Sequence, residues 1–303
     1  MPLVVTGSVG IDTIHTPASS AAEVLGGSCT YFAAAASFFH AVRVVAAVGE
    51  DFNERYLEAL RSFPGVDLAG LEMRRGSETF RWTGRYHPNM NDRDTLEVDL
   101  GVLGEAPPPV PRSFEDSQFV FLANAYPKNQ MQFLDAFPRR RLAVADTMDL
   151  WISTEREALS ELLARIDGLV LNDSEAEMMT EISNPVKAAL TIRERHDLKF
   201  VVLKKGEHGC LLAHEEGMAV LPAFPVENVI DPTGAGDCFA GGMMGYLASI
   251  NRTDFASIQH ALTHGTVISS FTVEAFSLDR LRQIGIADIH RRMIQFARAV
   301  RVV

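Results

Sequence analysis

Short runs of Val, Leu and Phe recur along the chain between amphipathic stretches of helical length, and no other feature of the sequence constrains the fold as much. The runs are Leu3–Thr6, Val42–Val48, Phe119–Ala123, Leu142–Ala145, Gly168–Leu171 and Phe200–Leu203. Between them lie Cys29–His40, Phe52–Phe63, Thr154–Ile166, Ser174–Thr180 and Val186–His196, which read as helices. A strand apolar at nearly every position is buried on both faces, as in a parallel sheet covered by its own crossover helices. The expected class is therefore α/β, a doubly wound, mostly parallel central sheet with helices on both faces.

Two segments break this rhythm. Around the turn-rich His87–Asp92, Phe80–Tyr86 and Asp94–Leu100 alternate like antiparallel strands, and Asp12–Glu23 is short and turn-prone. Both are expected in a small β lid over one edge of the core, with Pro107, Pro108, Pro109 and Pro111 forming a stiff return. The lid should comprise residues 12–24 and 70–102, and the core residues 1–11, 25–69 and 103–303. On the first hairpin strand Phe80, Trp82 and Tyr86 share a face, with Arg81 and Arg85 opposite.

A net charge of -11 opposes attachment to nucleic acid or an anionic membrane, since both need clustered Lys and Arg. Three widely spaced cysteines fit neither a disulfide framework nor a C-x-x-C metal site. No stretch has the length and apolarity of a signal peptide or membrane span, so a cytoplasmic location is expected. The expected partner is a small molecule.

The most informative stretch is Val229-Ile-Asp-Pro-Thr-Gly-Ala-Gly-Asp-Cys-Phe-Ala-Gly-Gly-Met243, a turn of small residues running directly into a helical pattern. The N–H groups of Gly234, Ala235 and Gly236, at the positive end of a helix dipole, suit an anion such as phosphate. Asp237 would then sit beside that anion, a repulsive placement unless it accepts a proton from a hydroxyl attacking the phosphate. An ordinary glycine turn capping a helix explains the same residues without chemistry. No G-x-x-x-x-G-K-[ST] segment occurs, which does not support a P-loop enzyme. Gly7-Ser-Val-Gly10 is too short for a dinucleotide fingerprint.

Asp231–Asp237 matches the signature D-[TP]-[TV]-G-[AS]-G-D, and on this motif the chain resembles the PfkB-type carbohydrate kinases, the ribokinase-like sugar and nucleoside kinases. The resemblance runs over nearly the whole chain. It implies that Asp237 is the catalytic base and Gly234, Ala235 and Gly236 the anion hole. It also implies that Asp12, Gly26 and Gly27 bind substrate hydroxyls. Where many sugar kinases carry an Asn after the glycine pair, Ser28, Cys29 and Thr30 stand here, with Ser28 expected at the substrate.

Asn172 and Glu175 match the family's N-x-x-E element, which organises Mg²⁺ and phosphates, Glu175 through a bound water; a capping role is the alternative reading of the same residues. Lys204, Gly206, Gly209 and Thr233 are expected beside the nucleotide. His264 would either lie along the adenine pocket or pack. A K⁺ site at Val229, Asp231 and the segment 271–275 is also implied. The reaction expected from the resemblance is transfer of the γ-phosphoryl group of ATP, with Mg²⁺, to a primary hydroxyl of a sugar-like acceptor. A nucleoside acceptor is the near alternative and a non-catalytic sensor a remote one. The family includes lid-mediated dimers, so a homodimer through the lid and a monomer both remain open.

Overall fold

The computed structural model describes residues 1–301. The elements run β1 (Leu3–Thr6), β2 (Gly10–His15), β3 (Ser20–Gly26), α1 (Ser28–Ser37), β4 (Val42–Gly49), α2 (Glu54–Arg61), β5 (Val66–Arg74), β6 (Phe80–Tyr86), β7 (Arg93–Asp99), β8 (Phe119–Leu122), α3 (Pro127–Leu134), β9 (Leu142–Asp146) and α4 (Asp149–Thr154). They continue through α5 (Arg156–Leu163), β10 (Gly168–Asn172), α6 (Asp173–Thr180), α7 (Pro185–Arg195), β11 (Phe200–Lys204), β12 (Cys210–His214), β13 (Gly217–Leu221), α8 (Ala235–Ile250), α9 (Phe255–Thr272) and α10 (Ile286–Val300).

Nine strands form the central sheet in the order β13-β12-β11-β10-β9-β8-β1-β4-β5. From β5 to β11 the neighbours are parallel; β12 and β13 add an antiparallel hairpin at one edge. This is the α/β sheet expected from the sequence. The strands alternate between two apolar layers. Leu3 and Val5 of β1 join Phe200 and Val202 of β11 under α1, α8 and α9, whereas Val4, Val201 and Leu203 join the layer beneath α3, α5 and α7. Both layers are dry, so the short strands tolerate no polar residue until they emerge at their carboxyl ends.

A second sheet, β3-β2-β6-β7, stands apart from the first. Its limits differ from expectation. Residues 70–74 complete β5, which pairs in parallel with β4, while residues 10–11 and 25–26 belong to β2 and β3 of the second sheet. At an edge β5 is half exposed, so its pattern alternates like that of a lid strand. The second sheet is anchored through Asp51, just after β4: its carboxylate accepts Thr79 N–H at 2.8 Å and Thr79 Oγ1–H at 2.6 Å, and pairs with Arg81 at 2.7 Å.

Because the sheet is parallel, β1, β8, β9, β10 and β11 all end at one rim. Ser8, Asn124, Asp146, Asn172 and Lys204 therefore converge there, at the crevice where ligands of such sheets bind. Behind the rim, Phe121 of β8 stacks on Phe32 of α1 with centroids 4.3 Å apart, and both are fully buried. Phe121→Ala is expected to cost about 3–5 kcal/mol of stability, read as a lower denaturant midpoint at unchanged slope.

Candidate active site

The chain enters α8 through Gly234, whose φ of 75° places it in the left-handed region. A side chain there is excluded twice over: by backbone strain, and because a Cβ would stand 2.3 Å from the Tyr31 ring. The turn leaves amides unspent. Ala235 N–H donates to Pro232 O at 3.2 Å and Cys238 N–H to Gly234 O at 2.8 Å, but no protein acceptor takes the N–H of Gly234, Gly236 or Asp237. The open donors are thus Gly234, Gly236 and Asp237, rather than the Gly234, Ala235 and Gly236 expected from the sequence.

Lys204, at the end of β11, brings its ammonium against this turn; Nζ would lie only 2.9 Å from a Cβ on Gly236. Asp146, at the end of β9, holds it there at 3.3 Å. Burial alone would lower the lysine pKa, but Asp146, Glu175 and Asp237 raise it, so the ammonium stays charged. The pKa values of Asp237 and Glu175 are raised as well, which for an acid favours the neutral form. Both carboxyls are pushed up by burial and by Asp146, with Lys204 opposing. Each acid is thereby brought toward the range in which it can exchange a proton near neutrality.

Asn172 and Glu175 form a reciprocal cap on α6: Asn172 Oδ1 accepts Glu175 N–H at 2.7 Å, and Glu175 Oε2 accepts Asn172 N–H at 2.8 Å. The capping reading of this pair is therefore correct. The cap still leaves Glu175 facing Lys204 and Asp146. Among the described residues no three His, Cys, Asp or Glu side chains are placed to hold a metal ion by themselves. A Mg²⁺ ion here fits only as one ligated largely by phosphate oxygens and water, with the carboxylates around Lys204 as its outer partners.

Asp12, from β2, lies on the far side of the signature turn. Its carboxylate sits directly over Gly26, where a Cβ would meet Oδ2 at 1.9 Å, so that position admits only glycine. Gly27 likewise passes close to Ser8 O. Asp12 is 3% exposed and its Oδ1 has no hydrogen-bond partner. Burial, with Asp231 nearby, pushes its pKa to about 8. A buried acceptor without a donor suits a ligand hydroxyl.

Ser28 is not free in the same sense. Its amide donates to Ser8 Oγ at 3.0 Å and its hydroxyl to Asn124 O at 3.4 Å, clasping α1 to the ends of β1 and β8.

Asp231 is fully buried; Oδ1 accepts Thr233 N–H at 2.9 Å, Oδ2 is unpartnered, and burial pushes its pKa to about 6. The amides of Ile230 and Asp231 both reach Val273 O, which brings the segment after α9 to the signature. Val229 is 41% exposed at its margin. Thr233 is tied to the second sheet, its Oγ1 lying 3.1 Å from Tyr86 OH. Gly206 lies under the lid loop, 3.1 Å from Asn91 Oδ1 measured from a would-be Cβ, and Gly209 turns against Leu221 O.

His264 is not brought to the turn. Its ring stacks on Tyr246 at 3.8 Å and meets Phe39 edge-on at 5.3 Å. Tyr246 is eleven residues along α8, about 16 Å from its start. Of the two expected roles for His264, packing is the one these contacts show.

Two groups were missed in the sequence. Asp146 follows a fully apolar strand run by one residue, and an acid in that position falls at the ligand rim of a parallel sheet. The other is an aromatic wall: Trp151 Nε1–H donates to Asn124 Oδ1 at 2.9 Å, and Tyr126 tilts against Trp151 with centroids 5.6 Å apart. Asn124 is also the residue whose carbonyl Ser28 contacts, so the wall adjoins the Asp12 side of the site. Only tertiary contact joins Asn124 and Tyr126, in the connection between β8 and α3, to Trp151 in α4.

The folded state retains a proton on Asp12 that the unfolded chain, with a carboxyl pKa of 3.8, releases. Native stability contributed by this group is therefore present below about pH 4 and lost as the pH rises through about 8. Asp12→Asn is expected to raise the thermal midpoint relative to wild type by a few degrees at pH 9 and progressively less toward pH 4. A pH-independent difference between the two proteins would show that Asp12 ionises normally.

Residues 136–281 match the pfkB family carbohydrate kinases. The chain is 30% identical over 258 residues to a cytidine kinase from Thermococcus kodakarensis, covering 83% of this chain and 89% of that protein. Its fold superposes on that of a Burkholderia thailandensis nucleoside kinase solved with inosine, at 18% identity and a TM-score of 0.78, covering 97% and 98% of the two chains. A neighbour from Escherichia coli, 17% identical with a TM-score of 0.76 over 97% and 100% of the chains, was solved with ATP and Mg²⁺. With a 30% identical relative matched over most of its length, and with the signature turn, the rim residues and the two-sheet architecture in place, the chain belongs to the pfkB family of carbohydrate kinases and is a phosphotransferase.

Proposed function

We propose that the protein transfers the γ-phosphoryl group of ATP to the primary hydroxyl of a nucleoside. Asp237 acts as general base, the free amides of Gly234, Gly236 and Asp237 receive the transferred group, and Lys204 faces the phosphates. The observation that carries the acceptor class is the Tyr126–Trp151 wall with Asn124. Two adjoining aromatic surfaces on the Asp12 side of the site offer a base the flat stacking area that its planar ring requires. Asn124 has its oxygen engaged by Trp151, and its Nδ2 faces only Met148 Sδ at 3.0 Å, a weak acceptor readily exchanged for a ring nitrogen or carbonyl of a base. The cytidine kinase and nucleoside kinase similarities support the same acceptor, which the sequence alone ranked behind a sugar.

In this reading the ribose hydroxyls donate to Asp12, whose unpartnered Oδ1 awaits them. That contact and the aromatic wall fix the primary hydroxyl toward Asp237. Mg²⁺ supplies charge neutralisation on the phosphates. Asp146 keeps Lys204 in place, and Glu175, anchored by its cap, orders the water around the ion. The buried, unpartnered Oδ2 of Asp231 fits a monovalent cation beside Val273 O, the K⁺ proposed for this position.

The discriminating assay is acceptor-dependent ADP release with Mg²⁺-ATP across cytidine, uridine, inosine, adenosine, ribose, fructose, fructose phosphates and inositol. A nucleoside is expected to give the highest kcat/KM. Asp237→Asn is expected to lose about 100- to 10,000-fold in kcat while still binding Mg²⁺-ATP. Trp151→Ala should raise KM for the nucleoside about tenfold or more, in line with a lost stacking contact. Preference for a free sugar, insensitive to Trp151→Ala, would overturn the acceptor assignment, and nucleotide binding without turnover on any acceptor would favour a sensor.

A further inference from the structure

Arg93 opens β7, the outer strand of the second sheet, and is the register partner of Tyr86 across the β6–β7 ladder. Cross-strand partners share a face of the sheet. Tyr86 is buried on that face, with its hydroxyl against Thr233 of the signature, so Arg93 projects over the same turn. The connection between the two strands continues past it to the end of β11, where Asn91 overlies Gly206. The hairpin therefore spans the site from the signature turn to the strand end beside Lys204.

Of the hairpin's other cationic side chains, Arg81 pairs with Asp51 at 2.7 Å, His87 lies 3.0 Å from Asp94, and Arg85 is exposed to solvent. Arg93 has no carboxylate partner among the described residues; its guanidinium rests 5.8 Å from the centroid of Trp82. The ring itself is fixed, lying over Gly84 and donating Nε1–H to Thr95 Oγ1 at 3.2 Å. Arg93 is close enough to favour ionisation of Asp237, Glu175 and Tyr86. Meanwhile Lys204, the cation within the cleft, is already matched by Asp146. A bound triphosphate brings more negative charge than one shared lysine offsets.

We infer that Arg93 is a catalytic residue delivered by the second sheet, its guanidinium leaving Trp82 to grip the phosphoryl oxygens of the bound nucleotide. The inference rests on the kinase reading above. In the transfer, the bond from the γ-phosphorus to the β,γ-bridging oxygen breaks, with its electron pair leaving on ADP. The acceptor oxygen bonds to phosphorus and its proton passes to Asp237. Arg93 exchanges no proton; it offsets charge on the transferred group with a fork of N–H donors that matches two phosphoryl oxygens.

The test pairs steady-state kinetics with tryptophan fluorescence for wild type, Arg93→Lys and Arg93→Ala, with circular dichroism to establish that the variants fold. Mg²⁺-ATP is expected to change the emission of wild type as the guanidinium leaves the Trp82 ring, and to leave Arg93→Ala unresponsive. Arg93→Ala is expected to lose about 100- to 1,000-fold in kcat, with nucleoside KM within about threefold and partial rescue by added guanidinium. Arg93→Lys, lacking the fork, should recover only part of the loss. An Arg93→Ala variant within about threefold of wild type in kcat, or with the wild-type fluorescence response, would overturn the inference. If wild type itself turns over no acceptor, the kinase reading fails separately, and the fluorescence titration alone decides whether Arg93 meets the nucleotide.

Discussion

Asp146, Glu175 and Asp237 come from a strand end, a helix cap and a helix start, and all three act on the ammonium of Lys204. Much of the architecture serves to make that arrangement tolerable. A carboxylate removed from water without a partner carries a penalty of several kcal/mol, which is why burial raises the proton affinity of Asp237 and Glu175. Lys204 and the free amides of the α8 turn offset part of the penalty. The excess of negative charge that remains favours a divalent cation, whereas Lys204 and the free amides of the α8 turn are the groups that suit phosphate oxygens.

Holding these groups together requires rigidity in places far from the chemistry. The signature turn is pinned from both sides, by Val273 O behind Asp231 and by Tyr86 in front of Thr233. The first pin is itself braced by α10. Arg292 donates to Glu274 Oε1 at 2.6 Å, adjacent to Val273, and lies 3.5 Å over the Phe271 ring. The second pin depends on the second sheet, which Asp51 anchors to the core. A hairpin anchored at its base and touching the signature at its tip can exclude water from the reacting groups, which suppresses hydrolysis of the nucleotide.

What was legible in the sequence follows from how local each determinant is. The parallel sheet was readable because strands dry on both faces must be apolar at every position, and the α8 turn because its glycines and Asp237 are contiguous. The reciprocal cap of Asn172 and Glu175 was likewise visible as a short-range alternative. The edge strand β5 was misplaced because, half exposed, it alternates like a strand of the second sheet. Assigning His264 depended on a stack with Tyr246 eighteen residues away in the chain, which periodicity does not encode. The Asn124–Trp151 hydrogen bond and the partnership of Asp146 with Lys204 bridge 27 and 58 residues respectively, and no local pattern announces them. Even at the signature, motif reading assigned Ala235 to the anion hole, because only the traced backbone shows its N–H already donated to Pro232 O.

In the proposed reaction the amides opening α8 receive the transferred phosphoryl group while Asp237 faces the attacking hydroxyl. The most direct measurement is a crystal structure with Mg²⁺-ADP, a nucleoside acceptor and aluminium fluoride in place of the transferred group. Fluoride ligands are expected within hydrogen-bonding distance of the Gly234, Gly236 and Asp237 N–H groups. The primary hydroxyl is expected about 2.6–3.2 Å from the Asp237 carboxylate, with the base against Trp151. A fluoride group held elsewhere, or a hydroxyl directed at another residue, would contradict the proposed reaction.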